Sequence, residues 1–433
     1  MNWTFKFALI IGGFNIEKAK KTYSELNNKN KNPKSCALDQ FHYFFGENEF
    51  YKNFLESKNY KISDSWEDIP TITKKDFPKD LSLVLTNWKY RDIHFHNTSG
   101  SSGTPFVFAK NKFCHAMTWA HIDSKLSEHG IDVGSSLQAR FYGIPLGGFK
   151  YYKERFKDFL AKRVRYSVFD LSEKQLEKVI LDFKKIPFEY VNGYTNSLVI
   201  VSKYLINKKI SLVDFCPTLK CVITTSEICD EIDRAIIERG FGVKVVNEYG
   251  AADSDLIAIE DKDGDFVLNE ETLFVEILNE DNKPVNHGEE GRVVCTSLFN
   301  KVMPFIRYEL GDLAVLRDTV KNGNRVLGKV VGRTNDLIRL PSGKTAPGFT
   351  LYYVVKELIE NGSVISEYVI RQRAVDLFIF EYVALALLTM EEEKRLLKAF
   401  QDYLEEGVKI SAVKVLKIER TEAGKRKHFI SEI

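Results

Sequence analysis

Apolar positions along the chain recur with two different periods, and the changes between them divide the sequence. LSEKQLEKVILDFKK (171–185) has helical spacing behind Ser172 as a cap, SLVIVSKYLINKK (197–209) is similar, and Phe113 to His129 spaces Met117, Ile122 and Leu126 likewise. Strand-like runs alternate with them. SLQARFYGIPLGGF (136–149) runs into a glycine-rich turn. LKCVITTS (219–226), EICDEIDRAIIERG (227–240, closed by Gly240) and VKVVNEYG (243–250) read as strand, helix and strand with short connections, which predicts a parallel sheet. From Asp265 to Leu316 the runs shorten to DFVLN, LFVEIL, GRVVCTSL and GDLAVL, the pattern of an antiparallel or barrel-like section.

Past Gly332 the character changes again. VVGRTNDLIRLPSGK reads as a hairpin, FTLYYVVKELIENG (349–362) as a helix, and EYVIRQR and LFIFEYVA as strands. MEEEKRLLKAFQDYLEEG (390–407) is a further helix and VKVLKIE (413–419) a last strand. The expected architecture is a large α/β domain over 1–332 and a small α+β domain over 333–433, with the boundary at Arg333 to Asp336. Before all this, residues 1–65 form a helical lead-in with polar loops, and IPTITKKDF (69–77) reads as a helix start capped by Thr73.

Composition narrows the function classes. Lys and Arg number 62 against 60 Asp and Glu, so no nucleic-acid surface is expected. Neither MNWTFKFALIIGGF nor LFIFEYVALALL (377–388) is long and clean enough to span a bilayer, which argues against stable membrane insertion. The six cysteines show neither a CxxC pair nor a metal-ligand rhythm, which fits reduced thiols in a cytoplasmic protein.

The candidate chemistry starts at NTSGSSGTPFVF (97–108). Thr98, Ser99, Ser101, Ser102 and Thr104 supply hydroxyls, and Gly100 and Gly103 let the backbone approach a ligand, between two strand-like runs. Such a loop suits a polyphosphate, although no Gly-Lys-Ser/Thr follows and a plain hairpin turn shares the pattern. Four more stretches follow in order: NEYGAADS (247–254), MPFIRYELGDL (303–313), VGRTNDLIRL (331–340) and RTEAGKRKH (420–428). Taken singly each reads as a turn or a solvated run.

In this order and at these separations, from about residue 68 onward, they resemble the acyl-adenylate-forming ligases, in the phenylacetate–CoA ligase and capsule-biosynthesis ligase branch. IPTITKKDF and FEYVNGYTNSLVIVSKYL (188–205) are similar to stretches of that branch. The resemblance implies a large adenylate-forming domain and a small mobile domain. The chemistry it implies joins a carboxylate to the α-phosphate of ATP, with Mg²⁺, and passes the acyl group on. Thr98 to Thr104 would grip phosphate, and Tyr249 and Gly250 would lie against the adenine, with Ser226 and Glu227 also on the nucleotide side. Asp312 would accept from the ribose hydroxyls, Arg333 would hold the ribose, and Lys425 would bridge the carboxylate and the α-phosphate. Tyr142, Gly143, Gly193 and Tyr194 would line the acyl pocket, where the aromatic rings hint at an apolar or aromatic acid. Asn335 and Asp336 would form the hinge.

The sequence departs from that pattern at several points. Asp253 stands where the branch has Glu, one methylene longer, so Mg²⁺ would bind through water. Thr104 stands where a Lys is frequent, and ADSDLIAIEDKDGD lacks the Cys/His metal site of some relatives. The implied acceptor is coenzyme A; the alternative is an amine of a surface sugar, or a carrier protein. A nucleotide-binding protein without catalysis is the reading from another class, and Lys425 argues against it. The identity of the acid and a monomeric or dimeric state stay open at this level.

Overall fold

The computed structural model describes residues 9, 12–28, 32–63, 65–98, 106–143, 148–333, 337–347, 351, 355, 365–420 and 428–433. The lead-in consists of α1 (Ile16–Asn28), α2 (Pro33–Glu47) and α3 (Glu49–Ser57). Asn32 and Asn48 cap the last two, each accepting a backbone N–H from the first turn that has no partner inside the helix. Next comes β1 (Ile72–Thr73), where a helix start is expected from the sequence. Thr73 instead donates its N–H and hydroxyl to Asp76 Oδ2, at 2.8 and 2.7 Å, and closes a turn. Ile72 is paired in parallel with Tyr308, and that distant strand overrides the local cap signal.

The hairpin β2 (Ile93–Asn97) and β3 (Val107–Asn111) leads into α4 (Lys112–Glu128). An alternating run follows: β4 (Gln138–Tyr142), α5 (Gly148–Leu160), β5 (Arg163–Ser167), α6 (Glu173–Lys185), β6 (Tyr190–Tyr194), α7 (Thr195–Asn207), β7 (Cys221–Thr225), α8 (Glu231–Phe241) and β8 (Lys244–Ala251). Then come β9 (Asp255–Glu260), β10 (Phe266–Leu268), β11 (Leu273–Leu278), β12 (Glu290–Ser297), β13 (Tyr308–Lys321) and β14 (Asn324–Arg333). Among the described residues the large sheet runs β11-β12-β13-β14-β10-β9-β8-β7-β6-β4-β5, with β1 on β13. The pairs from β5 to β8 are parallel, whereas β8–β9, β9–β10, β10–β14 and β11–β12 are antiparallel.

Strand alternation sorts the parallel section into two faces. Ala139, Phe141, Val191, Val222 and Val245 pack against α6, α7 and α8 through Leu176, Phe183, Leu198 and Ile237. On the other face Tyr190, Cys221, Ile223 and Val246 pack against Leu126, Ile131 and Val133, with Trp119 and Ile122 alongside. Helix α8 starts later than its sequence suggests. Asp230 caps it by accepting from the N–H groups of Ile232 and Asp233. Gly240 lies inside the helix, where a Cβ would come 2.6 Å from Ser202 Cα of α7, and Gly242 (φ +78°) ends it.

Contacts divide the chain into two compact units, Met1–Leu310 with Val315–Lys329, and Gly311–Ala314 with Val330–Ile433. The second contains the hairpin β15 (Leu337–Arg339) and β16 (Thr345–Pro347), then β17 (Ile365–Ala374), β18 (Leu377–Ala384), α9 (Met390–Tyr403), β19 (Lys409–Lys414) and β20 (Phe429–Ser431). Its main sheet runs β19-β18-β17-β20 and is covered by Leu396 and Phe400 of α9. A capping box of Thr389 and Glu392 starts that helix. The last long strand begins at Lys409 rather than 413, because parallel pairing with Leu377 to Tyr382 fixes its register. The expected helix at 349–362 lies almost wholly outside the described residues; Leu351 and Val355 in it are helical. The α/β layer, antiparallel section and smaller α+β unit are those expected from the sequence. No described helix is long and apolar enough to cross a membrane.

Two histidines of α4 carry a stability prediction. His121 is buried with Nδ1 2.9 Å from the Tyr23 hydroxyl of α1, and burial pushes its pKa down to about 3. Burial likewise pushes His115 down to about 4. The folded chain keeps both rings neutral, while an unfolded histidine protonates near pH 6.5. Stability is therefore complete above that pH and is lost as the pH falls toward 4. Urea unfolding at pH 7 and pH 5 should differ by about 2 kcal/mol for each histidine. His121→Gln should flatten that slope, and a variant with the wild-type slope would remove His121 from the account.

Candidate active site

The parallel strands lie in the order β5-β4-β6-β7-β8, so the chain leaves β4 in one direction for β5 and returns past it to β6. Helices on the two sides of that reversal cover opposite faces, which opens a crevice at the carboxyl ends of β4 and β6. Tyr142 and Tyr194 end these strands and their rings meet at 4.5 Å. Gly143 follows Tyr142 directly. Gly193 points elsewhere: a Cβ there would lie 2.8 Å from that of Phe141 and 3.2 Å from Leu198, so it serves the close packing of β6 on β4 and α7.

On the face opposite Phe141 the sheet turns polar toward its carboxyl end. Arg140 and Asn192 occupy one register level. The guanidinium of Arg140 lies 3.9 Å over the Tyr142 ring. Burial raises the pKa of Glu248 on β8 above the ordinary carboxylate value, against the opposing pull of Thr225, Arg140 and Asn192 around it. Burial also raises the pKa of Tyr142. Neither Arg140 nor Glu248 stands out in sequence. A lone charge inside QARFY or VVNEY was the available signal, because a charge in a strand buried on both faces needs a reason.

The nucleotide-side candidates have mixed surroundings. Ser226 is exposed with φ +68°, at the turn leaving β7. Glu227 caps α7, its Oε2 accepting from the Asn196 N–H at 2.8 Å and its carbonyl from the Thr195 hydroxyl at 3.2 Å. Tyr249 is half-buried beside a bulge at Gly250, where a Cβ would come 2.5 Å from the Asp255 carbonyl oxygen and only glycine fits. Asp253, in the turn between β8 and β9, is buried and accepts from the Tyr308 hydroxyl at 2.8 Å.

Thr98 closes the neck of the hydroxyl-rich loop. Its N–H donates to the Phe106 carbonyl at 2.9 Å, and its Oγ1 accepts from the Phe106 N–H at 3.0 Å. Ser99, Gly100, Ser101, Ser102, Gly103 and Thr104 lie outside the described residues, as do Asn335, Asp336 and Lys425; Arg333 is described only as the last residue of β14. Asp312 lies on β13 in the second unit.

One buried cation near the loop escaped the sequence reading. Lys110 of β3 has 2% side-chain exposure and pairs with Asp255 at 2.8 Å, while also donating to the Ala252 carbonyl at 3.4 Å. It therefore fastens the hairpin that carries the loop to the turn holding Asp253. Asp255 keeps φ +63° in that arrangement. Among the described residues no group of three or more His, Cys, Asp or Glu side chains could hold a metal ion.

No family model matches the chain. The fold is that of the acyl-adenylate-forming CoA ligases. A 2-hydroxyisobutyryl-CoA ligase in its postadenylation state, in complex with 2-HIB-AMP, superposes with a TM-score of 0.68 at 17% identity, covering 97% of this chain and 90% of that one. Within that class the sequence is similar to Protein CapK of Staphylococcus aureus, 24% identical over 349 residues that span 77% of this chain and 74% of CapK. It is also similar to phenylacetate-coenzyme A ligase of Thermus thermophilus, 23% identical over 317 residues spanning 68% of each chain. The resemblance read from the order of the motifs is borne out by these relatives.

The Lys110–Asp255 pair gives the second prediction. Lys110→Met leaves the Asp255 carboxylate buried without its cation, which should destabilise the protein by about 3–5 kcal/mol. Lys110→Met with Asp255→Asn should recover part of that loss, because no charge stays buried and Asn tolerates the left-handed backbone at that position. A double variant as unstable as the single one in urea unfolding would show that the pair is not what fastens the hairpin.

Proposed function

We propose that this chain is an ATP-dependent ligase that activates a carboxylic acid as acyl-AMP and transfers the acyl group to a thiol, most simply that of coenzyme A. The observation that carries the reading is the strand reversal at β4, where Tyr142 and Tyr194 end neighbouring strands, in a chain whose β2–β3 hairpin is closed by Thr98 at the start of the hydroxyl-rich stretch. The relatives named above support it. In the first half-reaction a carboxylate oxygen bonds to the α-phosphorus of ATP and the bond to pyrophosphate breaks. In the second a thiolate attacks the acyl carbonyl and AMP leaves with the electron pair.

The parts assigned to this chain follow from where charge develops. The loop residues Thr98 to Thr104 would supply N–H and hydroxyl donors to the phosphates. Tyr249 and Gly250 would face the adenine with Ser226, and Asp312 and Arg333 the ribose. Glu227 already caps α7 and would act through that helix's first turn. Lys425 would enter for adenylation and withdraw for transfer, with Asn335 and Asp336 as the hinge. Mg²⁺ would neutralise phosphate charge. With no ligating cluster among the described residues, Asp253 is the single carboxylate offered and the ion would be held mainly through phosphates and water.

The similarity to CapK over three quarters of the chain supports a second reading, with the same adenylation but transfer to an amine of a surface-polysaccharide sugar or to a carrier protein. Pyrophosphate release from a panel of carboxylic acids tests the first half-reaction. Adding coenzyme A or an amino sugar separates the acceptors. A panel that releases no pyrophosphate, together with no nucleotide binding, would reject both.

Lys425→Ala should lower adenylation by roughly 10²–10³-fold, the scale of losing one charged transition-state donor, with ATP affinity little changed. Wild-type pyrophosphate release from that variant would shift the role to Lys427. Asp312→Ala should weaken ATP binding by about 1.5–3 kcal/mol, since two hydroxyls lose a charged acceptor. Calorimetry returning an unchanged affinity would make Asp312 structural.

A further inference from the structure

Three arginines stand close together on the β4–β5 edge, and they differ in how their charge is met. Arg163 Nε pairs with Asp158 at 2.5 Å. Arg165, the register neighbour of Arg140, pairs through Nη2 with Asp158 at 2.7 Å and Glu154 at 3.1 Å. Both acids come from α5, and each carries an ion pair, although Asp158 Oδ2 and Arg165 Nε have no hydrogen-bond partner. Arg140 has no ion pair within 4.0 Å among the described residues, and its Nε is buried without a hydrogen-bond partner. Glu248 attracts this guanidinium without closing to an ion pair, and burial raises the pKa of that carboxyl. A half-buried guanidinium that makes no close ion pair among the described residues keeps the capacity to bind an anion.

The placement of Arg140 says where that partner would be. It stands two residues before the end of β4, about 7 Å deeper than the strand end at a rise of about 3.3 Å per residue. On the reading given above, the reacting carboxylate lies at the strand ends near the nucleotide. A group at Arg140 is then the far end of the acid. One face of the guanidinium is covered by the Tyr142 ring at 3.9 Å, which leaves its planar edge as the donor surface. That fork matches two oxygens held in a plane, as in a carboxylate.

We propose that Arg140 is a specificity-determining residue at the floor of the acyl pocket, and that the acid it selects is a short dicarboxylic acid rather than an apolar or aromatic monoacid. The proposal rests on the ligase reading for the position of the reacting carboxylate. It departs from the apolar lining that Tyr142 and Tyr194 alone suggest: their rings would flank the chain of the acid, and Arg140 would take its distal carboxylate.

The test compares succinate and glutarate with butyrate, valerate and phenylacetate in pyrophosphate release, for the full chain and for Arg140→Met and Arg140→Lys. The wild type should use a diacid with kcat/KM at least tenfold above the matched monoacid. Arg140→Met should lower the diacid value by roughly 100-fold while valerate stays within about threefold and ATP affinity is unchanged. Arg140→Lys keeps the charge without the fork, should retain an intermediate preference, and serves alone if the Met variant fails to fold by circular dichroism. A wild type that prefers valerate or phenylacetate, or a diacid preference unaffected by both substitutions, overturns the proposal. Calorimetry with glutarate separates it from the ligase reading. If no acid releases pyrophosphate, that reading fails, yet glutarate binding abolished by Arg140→Met still supports the anion site. Glutarate binding that is absent, or indifferent to residue 140, overturns it.

Discussion

Two adjacent side chains at the start of β13 join the parts of the first unit. Arg307 is fully buried, and its guanidinium donates to the carbonyls of Glu67 at 2.9 Å and Asn282 at 3.0 Å, to that of Ile69, and to the carboxylate of Glu276 at 3.3 Å. Its N–H is bound to the Thr296 hydroxyl at 2.9 Å, and its backbone is held at φ +47°. Tyr308 sends its hydroxyl to Asp253 and its ring against Phe106, at the neck of the hydroxyl-rich loop. Loss of Arg307 would strand several buried acceptors at once, each costing about 1–3 kcal/mol. The candidate magnesium ligand, the loop neck and the segment before β1 are thus positioned by one dipeptide.

The electrostatic character of the crevice follows from the same economy of buried partners. Lys110 and Asp255 satisfy each other, and Arg163 and Arg165 share the acids of α5. The rings of His94 on β2 and His115 on α4 lie 4.3 Å apart, and burial lowers the pKa of both. Arg140 differs from Arg163 and Arg165 in making no close ion pair among the described residues.

Much of the fold was legible in the sequence because its elements are locally consistent. Ser172 and the 3.6-residue spacing behind it specify α6, and the short links around α8 specify parallel neighbours. The misreadings occurred where a distant partner decides. Thr73 has the residue type of a cap but is drawn into a strand by Tyr308. Gly240 has the look of a terminator, yet it is there because Ser202 of the neighbouring helix leaves no room for a methyl group. Register against β18, invisible in the sequence of β19, moves that strand four residues forward. At the candidate site the motif residues were legible through resemblance, whereas Lys110 and Arg140 lie within strands whose neighbours in space come from elsewhere in the chain. Burial without a counter-ion becomes visible only once the strands are paired.

The long reach of the N-terminal segment also bears on how the protein is made. Gln40 binds the Leu298 carbonyl, Thr86 that of Lys301, and Ile72 pairs with Tyr308, across 258, 215 and more than two hundred residues. At translation rates of about 5–20 residues per second, those partners follow the N-terminal segment by on the order of tens of seconds. Through that interval the aromatic residues of α2 and α3, including Phe41, Phe44, Tyr51 and Phe54, have no partner from the strands that later cover them. A nascent chain of this kind carries uncovered apolar surface until β13 emerges, the condition under which a segment is prone to aggregate.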